Sequence, residues 1–124
     1  MIRFLALSLA AAAAQACELP GAPAQRVQAQ DREVVFRTQP AVVKVGEHFA
    51  VDFVVCPAPD AVRVDAWMPE HRHGMNYRPT IATQGGGRYR ATGLMFHMTG
   101  RWEFVFEVRA GGKTERLTHS VRIE

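Results

Sequence analysis

The chain has 124 residues, 48% of them apolar and 22% charged, enough for one domain with a real core and too few for two ordinary ones. Ten glycines, seven prolines and a 9% aromatic share exclude a disordered or collagen-like chain. The formal net charge of +3, from 15 basic against 12 acidic residues, is interleaved along the chain without a basic block, so nothing marks a nucleic-acid partner.

Met1 to Arg3 form a short positive region, Phe4 to Ala14 an apolar stretch, and Ala14-Gln15-Ala16 an A-x-A cleavage signal. Together they read as a secretory signal peptide over residues 1–16, which implies a periplasmic address. The apolar stretch is too short to span a membrane, and no transmembrane segment follows it. Cleavage leaves Cys17 at the mature N-terminus, and the only other cysteine is Cys56. In an oxidising compartment two cysteines most simply form one disulfide. The rival reading makes Cys17 the lipidated first residue of a lipoprotein, although Ala14 and Gln15 are not the residues such a signal prefers.

Residues 17–31, rich in Pro, Ala and Gln, read as an extended lead-in, with the folded domain over 32–124. Arg32–Thr38 and Ala41–Val45 read as two short strand pieces separated by Pro40. His48–Val55 alternates, with Phe49, Val51, Phe53 and Val55 on one face. Pro57, Pro59 and Asp60 make a turn into a strand carrying Val62, Val64 and Ala66. Met68 to Pro79 shows no period. Gln84 to Gly87 is a turn, and Arg88–Leu94 a strand with Tyr89 and Ala91 on one face. Arg101–Arg109 turns Trp102, Phe104, Phe106 and Val108 inward, and Gly111-Gly112-Lys113 is a hairpin loop. The return strand, Thr114–Ile123, alternates Leu117, His119, Val121 and Ile123. The pattern predicts an all-β domain, an immunoglobulin-like β-sandwich of six to eight antiparallel strands, with a small barrel as the alternative.

The chemistry concentrates in two segments. Met68-Pro69-Glu70-His71-Arg72-His73-Gly74-Met75 contains an H-x-H-x-M spacing, which places His71, His73 and Met75 on one side of an extended backbone. Met95-Phe96-His97-Met98 brings another imidazole and two more thioethers. Imidazole with thioether is a soft donor set that favours copper, Cu(I) above all, with zinc second because zinc more often recruits cysteine or carboxylate. The expected metal ligands are therefore His71, His73, Met75 and His97, with Met68, Met95 or Met98 completing the shell. His48 and His119 stand outside this group and read as structural histidines. Glu70 could orient a ligand histidine or be a surface charge. Arg72, Arg78, Arg88, Arg90 and Arg101 surround the group in sequence and could bind an anion or a partner's carboxylates.

Enzyme signatures are absent: there is no G-x-S-x-G, H-E-x-x-H, C-x-x-C or phosphate-binding glycine loop, and no catalytic residues are assigned. The blocks Met68-Pro69-Glu70-His71-Arg72-His73-Gly74-Met75, Gly87-Arg88-Tyr89 and Gly93-Leu94-Met95-Phe96-His97-Met98-Thr99-Gly100-Arg101-Trp102 resemble the YtkA-like and FixH-like domains of bacterial periplasmic and membrane-anchored proteins. The resemblance covers residues 32–124 and implies an immunoglobulin-like sandwich. FixH-type members are linked with copper delivery to respiratory oxidases, but they carry a transmembrane helix that this sequence lacks. Carried over residue by residue, it marks Met68, His71, His73, Met75 and His97. Two functions remain open: a periplasmic copper chaperone, resistance or delivery protein, and a metal-free module that docks an envelope protein through Tyr77, Trp67 and Arg72.

Overall fold

The computed structural model describes residues 17–21 and 23–124; the expected signal peptide, residues 1–16, lies outside the described residues. These contain nine strands: β1 (Gln25–Gln28), β2 (Glu33–Gln39), β3 (His48–Cys56), β4 (Ala61–Met68), β5 (His73–Gly74), β6 (Thr80–Gly85), β7 (Arg88–Met95), β8 (Gly100–Ala110) and β9 (Lys113–Ile123). They form two antiparallel sheets, one of five strands in the order β1-β2-β3-β7-β6 and one of four in the order β5-β4-β8-β9.

Period-2 patterning drives this arrangement, because each sheet turns its alternate apolar residues toward the other. Val34 and Phe36 of β2, Phe49 to Val55 of β3 at every second position, and Ala91 and Leu94 of β7 face Val64, Ala66 and Met68 of β4 and Trp102, Phe104, Phe106 and Val108 of its neighbour β8. Burying each large side chain contributes about 1.5–3 kcal/mol, offset mainly by backbone and side-chain entropy. Gly111 and Gly112 both have positive φ, at 57° and 75°, the backbone that a two-residue hairpin demands between the twisted strands β8 and β9.

Four features depart from the strand pattern expected from sequence. Ala41–Val45 is not a strand: Pro40 interrupts the ladder after Gln39, Val42 is 72% exposed, and residues 40–47 form a loop tied to the body where the Gly46 amide donates to the Phe96 carbonyl at 2.8 Å. The lead-in is partly structural, since β1 pairs with β2 from Gln25 opposite Phe36 to Gln28 opposite Glu33. Thr80–Gly85 forms the edge strand β6 on β7; its exposed, mostly small polar residues leave no apolar alternation to read. Finally, the β3–β7 register shifts between Phe49 and Val51. There Gly93 takes φ 82°, and the bulge lets Ala91 and Leu94, three residues apart, both face the core.

Cys17 and Cys56 are joined by a disulfide. Cys17 packs with Val35 and Val54 in a small apolar cluster on the outward side of the five-stranded sheet, so the bond fixes the N-terminal segment across β2 and β3. Of the two readings of Cys17, the structure takes the disulfide.

Candidate metal centre

The β4 strand ends at Met68, and the chain reverses at once. The amides of His71 and Arg72 both donate to the Met68 carbonyl, at 3.2 and 2.8 Å, and Arg72 adopts the left-handed conformation with φ 55°. It is the only non-glycine residue among those described with positive φ, and that unfavourable backbone sits between two histidines. The reversal lets β5 pair back on β4, His73 opposite Met68 and Gly74 opposite Trp67. The Met75 amide then donates to the Ala66 carbonyl at 3.3 Å.

The second segment, residues 96–99, crosses from β7 in one sheet to β8 in the other. Phe96 is fully buried, and the Trp102 indole N–H donates to the Met98 carbonyl at 3.0 Å. This crossing brings His97 against β5. The ring centroids of His73 and His97 are 5.2 Å apart, and those of His71 and His73 are 5.8 Å apart. Trp102 forms the floor, edge-on to His97 at 5.5 Å and to His73 at 6.0 Å. Three imidazoles from two distant segments thus stand in a row over one buried indole.

Hydrogen bonding bears on which nitrogens are free. His73 Nδ1 lies 3.0 Å from the Gly74 carbonyl oxygen. A carbonyl only accepts, so this contact puts the proton on Nδ1 and leaves the Nε2 lone pair available. His97 Nδ1 is buried and has no hydrogen-bond partner, an orphan that costs free energy unless something engages it. Glu70 accepts from Arg101 Nε at 2.7 Å. That guanidinium holds its carboxyl below the usual carboxylate range, with its own backbone hydrogen bond adding to the effect. The pair ties the 69–72 turn to β8, and His71 adds a weaker electrostatic pull on the same carboxylate.

The methionines separate into three environments. Met75 and Met98 are partly buried and pack against the core. Met68 is 1% exposed and wholly a core residue, closely packed at Gly100, where an added Cβ would meet its Cε at 2.9 Å. Met95 stands opposite His48 in the β3–β7 ladder, because the bulge at Gly93 turns Leu94 inward in its place. His48, which the sequence places outside the group, reaches the same end of the sandwich and contacts Tyr77 edge-on at 5.0 Å. No spacing signal announces it. His119 packs edge-on against Phe36 at 5.3 Å. It lines a cleft of about 370 Å³ with Phe36, Phe104 and Val121, a cleft to which none of the candidate ligands contributes.

Among the described residues no three His, Cys, Asp or Glu side chains converge on one point as a metal site. The donors brought together at this end are therefore imidazoles, in the pairs His71–His73 and His73–His97. The His73–His97 separation of 5.2 Å suits two rings sharing one ion, given metal–nitrogen bonds of about 2 Å, and the orphaned His97 nitrogen fits a ligand role.

A family model described as YtkA-like matches residues 26–107. No curated protein matches the chain. Among solved structures, a DUF4426 family protein from Pseudomonas aeruginosa PAO1 is similar in fold, with a TM-score of 0.56 at 15% identity, over 81% of this chain and 94% of that one.

Proposed function

The chain belongs to the YtkA-like family, and from that premise we propose that it is a periplasmic module that holds copper, as Cu(I), between the His71–Met75 segment and the His97–Met98 crossing. His73 and His97 are the central pair, His71 extends the row, and Met75 and Met98 supply thioether. The observation that carries the proposal is the orphaned, buried Nδ1 of His97 beside an imidazole whose other nitrogen is already engaged.

The donor set speaks to the ion. Zinc commonly takes three or four His, Cys or carboxylate ligands, and no such trio converges among the described residues. Two imidazoles with thioether suit a soft monovalent ion better. Met68 and Met95 are not needed: one is core, and the other faces His48. A periplasmic location agrees with the Cys17–Cys56 disulfide, and among the described residues no helix is long and apolar enough to cross a membrane. The sulfurs are paired with each other, so the ion is left to nitrogen and thioether. The role is carriage or buffering of the ion, with no chemistry performed on it.

Competition of the purified protein for Cu(I) against a chelator of known affinity tests this reading. Stoichiometric uptake that is lost in His71→Ala/His73→Ala is the expected result. Failure of the wild type to compete overturns it.

A further inference from the structure

Independently of the copper reading, we infer that the cleft at His119 binds a small neutral aromatic molecule with a hydrogen-bonding substituent, of which a simple phenol is the model. The cleft opens at the edge of the sandwich formed by β1, β2 and β9. β1 pairs with β2 only from Gln25, opposite Phe36, to Gln28, so the rest of β2 stands uncovered across from β9. The space left there, about 370 Å³, reaches the core rings of Phe36 and Phe104. That volume lies at the lower end of the roughly 300–1,000 Å³ of small-molecule sites, which suits one ring or two. His119 sets this cleft apart from a packing gap. It takes an inward position on β9, between the core residue Leu117 and the core-packed Val121, and stands opposite Phe104 in the ladder. Its ring contacts Phe36, and it makes no hydrogen bond among the described residues, so its ring nitrogens are left to solvent or a ligand. A lone polar group in an apolar-walled cleft is what fixes a ligand's orientation.

The walls specify the ligand. Phe36, Phe104 and the His119 imidazole give the cleft three rings, and ring against ring gains more than the area it buries. Charge is not provided for. No acidic side chain lines the cleft, and its one guanidinium, that of Arg37, donates to the Pro20 carbonyl. An ion entering there would lose hydration without a dedicated partner. A neutral ring bearing a hydroxyl meets both conditions, with its ring against the phenylalanines and its hydroxyl on the imidazole. One lip of the cleft comes from the lead-in, through Pro23 and Gln25. That segment is fastened by the Cys17–Cys56 disulfide and by Arg26, which donates to the Cys17 carbonyl. The lip is therefore formed before a ligand arrives, and the cost of ordering it is not charged to binding.

The test uses the purified metal-free protein, so its outcome is separate from that of copper binding, and three probes: 4-ethylphenol, the anion 4-ethylbenzoate and the aliphatic 4-ethylcyclohexanol. NMR resonances of Phe36, Phe104, His119 and Val121 should move with 4-ethylphenol, which should bind at least fivefold more tightly than either of the others. His119→Leu, which keeps an apolar residue of similar size at an inward position, should weaken the phenol at least tenfold. Val121→Phe, which fills the cleft, should abolish binding, and native amide dispersion in either variant shows that it is folded. No movement at these residues with millimolar phenol would overturn the site, as would tighter binding of the benzoate or cyclohexanol, or undiminished binding by His119→Leu. Shifts at the same residues that depend on protein concentration alone would also overturn it, by assigning the cleft to a second copy of the chain.

Discussion

His73 and His97 are 24 residues apart in sequence yet their rings are 5.2 Å apart, because the first sits on an edge strand of the four-stranded sheet and the second on the crossing that enters that sheet from the other. Neither segment alone brings two imidazoles together across the sandwich. The fold does so by closing both over Trp102, and the proposed site predicts that the stability of that corner and metal affinity are coupled.

Trp102→Phe tests the coupling. The substitution removes the indole N–H that donates to the Met98 carbonyl and leaves a void under His73 and His97. A loss of about 2–3 kcal/mol is expected in chemical denaturation. Cu(I) affinity should fall with every histidine still present, and unchanged affinity would show that the indole does not position the pair.

The Cys17–Cys56 bridge closes a loop with a sequence separation of 39, which on chain-entropy grounds restricts the unfolded state by about 4 kcal/mol. Cys17→Ser/Cys56→Ser, or reduction of the wild type, should lower stability by roughly that amount. The Cu(I) affinity of the folded fraction should not change, since neither sulfur is a proposed ligand. A change in affinity with the sulfurs removed would assign them a part in the site.

Gly87 has φ 76°, and a Cβ there would lie 2.6 Å from the Val55 carbonyl oxygen, while the Gly87 carbonyl accepts from the Val55 amide at 2.8 Å. Gly87→Ala should therefore cost about 2–4 kcal/mol, from the left-handed backbone and the clash together. Gly86, with φ 63° and open space around it, is the control: Gly86→Ala should show the conformational part alone, about 1 kcal/mol. Equal losses at the two positions would contradict the close approach of β3 to this turn.

The strands that bury one face were legible in the sequence for a single reason: alternation is what burial leaves behind. Phe49 to Val55 and Trp102 to Val108 alternate because every second side chain is in the core. β6 was not legible, because an exposed edge strand has no face to bury. The bulge at Gly93 was not legible either, and it decides that Met95 faces His48 instead of the core. At the site, H-x-H-x-M and H-M announced the donors, and the structure joins His71, His73 and His97 in one row. Met68 carried the same chemical signal as Met75, and only the alternation of Val64, Ala66 and Met68 distinguishes a core thioether from an available one. Val42 and Val45 are exposed in a loop, because β-branched residues favour a strand only where a pleated surface exists to pack them.

Glu70 gives a pH signature. Arg101 holds its ionised form, so its titration is displaced below the ordinary carboxylate range. The support this pair lends to the 69–72 turn is therefore fully present above the unfolded carboxylate pKa and is lost as pH falls through the lowered folded value. Side-chain NMR should place the Glu70 midpoint below that of an ordinary glutamate, and Arg101→Gln should raise it toward the ordinary range by removing the largest of the causes that lower it. A Glu70 that titrates like a free carboxylate in the wild type would show that the turn is not tethered.

X-ray absorption at the copper edge, on protein loaded with one equivalent of Cu(I), tests the central claim most directly. Imidazole scattering together with a sulfur shell is predicted in the wild type, with His73→Ala/His97→Ala losing the imidazole component and Met75→Leu/Met98→Leu losing the sulfur component. Copper that shows oxygen and nitrogen neighbours alone, or a spectrum unmoved by either pair of substitutions, would contradict a site built between these two segments.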